Sequence, residues 1–275
     1  MARCSEKTPE GPIPVAETAY YTIDAEAMAA SVTISRDKYG IPHIYGPTDE
    51  SVLFGLAYAR AEDHFHLIED IVIASIGRQA EVSGENGVGA DYSVRAFRVN
   101  QLSQQEYKNF PNKIKLLCDA YAAGMNYFLA THPEAKPKLI NYFEPWHFLS
   151  VDRLVWGSMG FSLAGIKDDE VAEYINSSRQ EPRVGSNVWA IGPQRSGNGK
   201  TYLVINPHIP ADQPYEVHLK SDEGLNFYGM MAYGASMLPP IGHSDSIGWS
   251  LTVNYPDVGD SFRMTFDHPS DSSKY

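Results

Sequence analysis

Apolar and polar positions follow two different periods along this chain, and the change comes past its middle. Near the start two short β-type runs, Val32–Ile34 and His43–Tyr45, flank the turn Asp37-Lys38-Tyr39-Gly40-Ile41-Pro42, punctuated by Gly and Pro. From Thr48 onward Phe54, Ala57, Tyr58, Ala61, Phe65, Ile68 and Val72 recur at three- and four-residue steps. That spacing predicts an amphipathic helix capped by Thr48 or Asp49. Ile114, Leu117, Tyr121, Met125 and Phe128 predict a second helix over Lys113–Thr131, and a third is predicted to start after Ser150 and run through Leu154 to Phe161. Beyond Gly185 the texture is strand-like: Val188–Ile191, Tyr202–Ile205, Phe227–Tyr233, Ile247–Val253 and Phe262–Phe266, separated by stretches rich in Gly, Pro, Asn and Asp. The organisation expected is a tail over 1–31, a mainly helical region over 32–175, a polar spacer over 176–185 and a strand-rich region over 186–275.

Composition narrows the class. With 275 residues, 43% hydrophobic and 20% charged, the chain has the balance of a globular protein with ample length for a core. A formal charge of -12 with no basic stretch argues against a nucleic-acid partner. No apolar run approaches a membrane span. Cys4 and Cys118 make no disulfide framework and leave the compartment open. Met1–Ser31 has no apolar core, so neither a signal peptide nor a lipid anchor at Cys4 is expected there.

The chemistry concentrates at Gly185-Ser186-Asn187-Val188-Trp189-Ala190-Ile191, where a Gly-Ser bond stands directly before an alternating strand. Taken alone, the dipeptide reads more simply as a loop entering an ordinary strand. If the bond were cut, however, Ser186 would carry a free α-amine beside its hydroxyl. An α-amine titrates at about 8, so an appreciable fraction is neutral near pH 7 and can serve as base. An N-terminal amine activating a hydroxyl is a known alternative to the Ser-His pair. The preceding polar, Pro-containing stretch Asn176–Val184 is where a cut chain could part. His43, His64 and His66 tempt a metal reading, but His64 and His66 lie two apart on a predicted helix and point away from each other. No zinc site is expected.

Four segments carry a resemblance. VTISRDKYGIPHIYGPTDESVLFGLAYARAEDHFHLIE, then GRQAEVSG followed by Asp91 and Arg95, then FEPWHFLSVDRLVW, and finally GSNVWAIGPQRSGNGKTYLVINPHIP occur in order between Val32 and Pro210. Together they resemble the penicillin acylase family of N-terminal nucleophile hydrolases, which includes acyl-homoserine lactone, aculeacin and cephalosporin acylases. The resemblance implies an α+β fold, the N-terminal portion of an αββα four-layer sandwich with antiparallel central sheets. It also implies an amidohydrolase that removes an acyl chain from an amine, takes a small acyl-amide substrate and needs no organic cofactor.

Position by position, the resemblance makes Gly185-Ser186 an autoproteolytic bond that yields α and β chains, with Ser186 as nucleophile and, through its α-amine, base. His208, in NPHIP, matches the histidine that lactone and cephalosporin acylases carry near the nucleophile, where it would hold the serine in register. Without the resemblance it reads as a hairpin histidine satisfying backbone groups. Val253, in WSLTVN, would offer a backbone N–H to the oxyanion, and Asn187 would serve structure next to the nucleophile. Apolar side chains of both halves, Phe161 and Trp189 among them, would line the acyl pocket. Asp257, Gly259 and Asp260, with Glu170 as a further acidic partner, match a calcium-binding segment. An Asp-rich turn capping a strand explains YPDVGD equally well.

The family's β subunit is expected to continue for several hundred residues past the position matching Tyr275, and an asparagine from that continuation would supply the second oxyanion donor. Loss of one such donor costs about two to three orders of magnitude in rate. The alternative function is therefore an inactive fragment, or a split acylase half that needs the remaining β-subunit chain as partner. Family members are often exported, which leaves localisation open.

Overall fold

A computed structural model describes residues 22–163, 185–209, 214–232, 237 and 239–252, with side chains at all of these but 156–163 and 232. Helix α1 (Ala25–Ser31) opens the described chain, its first turn capped by the Asp24 carboxylate accepting from the Ala27 N–H at 3.0 Å. It lies within the stretch read as a tail. It buries no residue, so it lacks the apolar periodicity by which a helix is recognised.

Strands β1 (Thr33–Arg36) and β2 (Pro42–Gly46) form an antiparallel hairpin. Asp37 makes the turn, its carboxylate accepting from the Tyr39 and Ile41 N–H groups at 2.8 and 3.0 Å. Helix α2 (Asp49–Ser75) follows, with Thr48 as its N-cap. Thr48 Oγ1 accepts from the Ser51 N–H and Ser51 Oγ accepts from the Thr48 N–H, a reciprocal box that fixes the helix start. The expected Phe54-to-Val72 stripe is on α2, and the burial extends around most of the helix because it is covered on several sides. His64 leaves helical geometry (φ -147°, ψ 34°) and kinks it.

Three further helices were not anticipated: α3 (Gln79–Ser83), α4 (Val88–Ala96) and α5 (Val99–Asn109). The first is too short for a period to emerge, and α5 is polar apart from Val99, Leu102 and Tyr107, of which Leu102 is exposed. Helix α6 (Asn112–Thr131) matches its predicted span within one residue. Helix α7 (Pro145–Leu163) begins five residues before Ser150, since proline suits the first helical turn, where its missing N–H costs nothing. Gly124 of α6 crosses α2 so closely that a Cβ there would stand 2.2 Å from the Phe54 carbonyl oxygen.

Strands β3 (Ser186–Ile191) and β4 (Tyr202–Pro207) form a two-stranded antiparallel sheet of their own. Strands β5 (Pro214–Ser221), β6 (Asn226–Ala232), β7 (Ile241–Ser244) and β8 (Gly248–Trp249) join the N-terminal hairpin in a six-stranded sheet of order β1-β2-β5-β6-β7-β8. Every pairing is antiparallel except β2 with β5, which is parallel. Of the expected strand Ile247–Val253 only Gly248–Trp249 is strand among the described residues, and Phe262–Phe266 lies outside them.

The fold is α+β, and chain from both sides of Gly185 shares one sheet. Ile44 of β2 and Tyr215, Val217 and Leu219 of β5 turn inward against α2, and α6 and α7 pack on α2 in turn. Polar ties lock the layers. Asp63 on α2 accepts from Arg36 on β1 at 2.9 Å and from the Tyr215 hydroxyl on β5 at 3.0 Å. No helix among the described residues is long and apolar enough to cross a membrane.

Candidate active site at the Gly185–Ser186 bond

Register positions the site. In the β3–β4 hairpin Ser186 stands opposite Pro207 and Asn187 opposite Asn206. Proline has no N–H to donate, and the pairing passes to the next residue: the His208 N–H donates to the Gly185 carbonyl at 3.1 Å. The Ser186 hydroxyl donates to the same carbonyl oxygen at 2.6 Å. The carbonyl of the Gly185–Ser186 peptide thus receives one donor from the adjacent serine and a second, fixed donor from across the hairpin. Such a pair polarises the carbonyl and faces the oxygen that would turn negative on attack.

The imidazole lies over Gly185. A Cβ at that position would come within 3.2 Å of His208 Nδ1, so a larger residue would press on the ring. On its other side the ring meets a cross-strand amide pair. Asn187 Nδ2 is 2.9 Å from His208 Nε2 and donates to Asn206 Oδ1 at 3.2 Å, while His208 Nε2 is 3.2 Å from Asn206 Oδ1. Ser186 is half-buried, and Asn187, Asn206 and His208 are exposed. Three of the expected residues, Ser186, Asn187 and His208, therefore come together. Asn206 joins them unannounced, because the long connection over 192–201 leaves the register of the hairpin open in the sequence.

Others do not join. Trp189 is 53% exposed on β3, not set in a pocket, and the Phe161 side chain, Val253, Asp257, Gly259, Asp260 and Glu170 lie outside the described residues. Among the described residues no group of three or more His, Cys, Asp or Glu is gathered to hold a metal ion. His66 Nδ1 lies 3.7 Å from the buried Glu69, and His64 meets the edge of Tyr215. Burial, ahead of the opposing pull of Asp63, lowers the His64 pKa.

His43 finds a different partner. Its Nδ1 is 3.1 Å from Nδ1 of His218, its register neighbour on β5. His218 Nε2 reaches Asn226 Oδ1 at 2.9 Å, and Asn226 Nδ2 donates to both oxygens of Asp245 at 2.8 and 2.9 Å. These groups, with Tyr228, His243 and Ser244, line a cleft of about 490 Å³ on the six-stranded sheet. Its signal was the alternation Tyr215, Val217, Leu219 against Glu216, His218, Lys220, which marks β5 in the sequence.

The penicillin amidase family model matches residues 31–275, and the chain belongs to that family. It is 22% identical to a penicillin acylase 2 proenzyme of Pseudomonas sp. over 92% of this chain and 40% of that protein. It is 26% identical to the acyl-homoserine lactone acylase PvdQ of Pseudomonas syringae pv. tomato, over 91% of this chain and 37% of the relative. An aculeacin-A acylase of Actinoplanes utahensis is 25% identical over 80% of this chain and 33% of its own length. The chain thus spans about two-fifths or less of the length of these relatives.

Proposed function

We propose that this chain carries the self-cleaving nucleophile of an acyl-amide hydrolase, with Gly185–Ser186 as the scissile bond. The observation that carries the reading is the Gly185 carbonyl oxygen, which accepts from the hydroxyl of the adjacent Ser186 and from the His208 backbone N–H across the hairpin. Ser186 Oγ adds to the Gly185 carbonyl carbon as its proton passes to solvent water, and the His208 N–H holds the oxyanion. The C–N bond then breaks, the Ser186 nitrogen takes up a proton, and Gly185 is left as an ester on Oγ. Water hydrolyses the ester and frees the Gly185 carboxyl and the Ser186 α-amine.

In the cleaved protein the neutral α-amine takes the hydroxyl proton as Ser186 attacks a substrate amide and returns it to the substrate nitrogen as the C–N bond breaks and the amine departs. Water then hydrolyses the ester and releases the acyl group as an acid. The Val253 N–H is proposed as an oxyanion donor in that second reaction. The three relatives carry names of acylases acting on penicillin, acyl-homoserine lactone and aculeacin A. The substrate proposed here is accordingly an amide joining an acyl chain to a compact amine. No organic cofactor enters the scheme.

Intact-mass measurement of the purified chain tests the first step. Two species dividing after Gly185 are expected, and Ser186→Ala should stay whole; a wild-type chain that remains intact across pH 6–9 would sink the proposal. A second reading, in which turnover needs further polypeptide on the hairpin, is favoured by the exposed apolar residues Val188, Trp189, Ile191, Tyr202 and Val204. It predicts cleavage without acyl release until the rest of a family β subunit is supplied in trans.

A further inference from the structure

We propose that Asn198, in the connection between β3 and β4, is a self-modifying site that loses its side-chain amide as ammonia through a cyclic imide with Gly199, and that the fold protects the same dipeptide at Asn86-Gly87. The sequence holds two Asn-Gly pairs, and they are these. A glycine after asparagine puts no side chain beside the peptide nitrogen, which is then open to attack the Asn side-chain carbonyl. By sequence the two pairs are equivalent. The structure separates them.

Asn198 is exposed, and its carboxamide is held at both ends. The Lys200 N–H donates to Oδ1 at 3.1 Å; since an N–H only donates, the oxygen is the end that faces it. This Asx-type turn folds the side chain back over the intervening Gly199 peptide. The same N–H polarises the carbonyl and meets the oxygen that turns negative on attack. At the other end Nδ2 donates to the Tyr202 hydroxyl at 2.6 Å. Asn86 stands differently, in the 3₁₀ turn Gly84–Gly87. In a helical backbone the Cα–Cβ bond leans toward the helix start, away from the following peptide nitrogen. Gly87 is also buried against α3, where a Cβ would stand 2.4 Å from the Ala80 nitrogen, so this peptide has no room to turn toward its asparagine.

In the reaction the Gly199 nitrogen gives its proton to hydroxide and bonds to Asn198 Cγ, closing the imide ring. Nδ2 has no lone pair to offer as an amide nitrogen, but gains one in the tetrahedral intermediate. The Tyr202 hydroxyl beside it then supplies a proton, the Cγ–Nδ2 bond breaks, and ammonia leaves. The hydroxyl recovers its proton from solvent. Water adds to either imide carbonyl, and ring opening leaves aspartate or isoaspartate at this position. Each event adds one negative charge at the end of the hairpin that pairs Ile191 with Tyr202, far from the Ser186–Pro207 pair.

Incubation of the full chain at mildly alkaline pH, followed by peptide mapping, reads both sites, and electron-transfer fragmentation separates aspartate from isoaspartate. The peptide containing Asn198 should accumulate both products while the one containing Asn86 stays unchanged. In urea the unfolded chain should react at both sites at comparable rates. Tyr202→Phe, which keeps the ring, should slow the reaction at Asn198 several-fold. Gly199→Ala, whose Cβ would meet no atom within 4 Å, should slow it about tenfold or more by crowding the attacking nitrogen. Ser186→Ala should leave the rate as it is, so the outcome does not depend on the Gly185–Ser186 bond being scissile. An Asn198 that stays intact in the folded chain overturns the proposal, as does equal reaction at Asn86 and Asn198. A Tyr202→Phe rate equal to that of the unsubstituted chain removes the hydroxyl from the mechanism.

Discussion

The His208 N–H donates to the Gly185 carbonyl at 3.1 Å, across the open end of a hairpin whose last paired residue is a proline. The backbone of His208, and not only its ring, therefore faces the bond proposed to break. His208→Ala keeps that N–H, whereas His208→Pro removes it. Self-cleavage followed by intact mass should slow about tenfold in His208→Ala and a further hundredfold or so in His208→Pro, the usual cost of one oxyanion donor. Equal rates in the two variants would remove the backbone group from the mechanism.

Gly124 sets the approach of α6 to α2. Gly124→Ala would force a methyl against the Phe54 carbonyl at 2.2 Å and against Ala57 at 3.0 Å, both on a buried helix that cannot yield without moving the sheet beneath it. Overpacking of this kind costs about 2–3 kcal/mol. Urea unfolding should give a lower midpoint at an unchanged slope.

His147, buried on α7, gives stability an acid limb. Burial, ahead of the opposing attraction of Glu144, lowers its pKa to about 4, and its Nδ1 lone pair accepts from the Glu144 N–H at 3.2 Å. The unfolded chain takes up the proton near pH 6.5 and the folded chain only near 4. The contribution of the neutral ring is therefore complete above pH 6.5 and is lost as pH falls through that window, by roughly 3 kcal/mol in total. His147→Gln should flatten this part of the stability–pH curve, and a curve parallel to wild type would contradict the assignment.

Asp91, buried on α4, accepts from the Gln79 and Ala80 N–H groups at 2.7 and 2.9 Å and so anchors the start of α3. Asp91→Ala leaves two partly buried donors without a partner, at a cost of about 2–3 kcal/mol. Asp91→Asn keeps one acceptor oxygen and should recover part of it. Thermal unfolding of the two variants distinguishes them.

Much of this was legible in the chain. The Thr48 cap and the stripe from Phe54 to Val72 located α2, because burial against one core imposes its period on neighbouring residues. Gly185-Ser186 could be singled out because nucleophile and base chemistry needs only one residue once the bond is cut. The short helix α3 and the polar helix α5 were not legible, since their helicity depends on contacts such as that of Asp91, distant from α3 in sequence. Strand β5 was overlooked although its alternation is regular; its parallel neighbour β2 lies about 170 residues earlier and leaves no local trace.

By itself, then, the sequence determined the main helices and the strand-rich second part through local period, and the family through the resemblance of its four segments, from which Ser186 is proposed as the nucleophile. Only the tertiary structure decided that His208 offers its backbone to Gly185, that Asn206 stands beside Asn187, and that His43 pairs with His218 instead of any nearby histidine. Those relationships come from strand register and chain crossing, which bring together groups that no spacing along the chain can align.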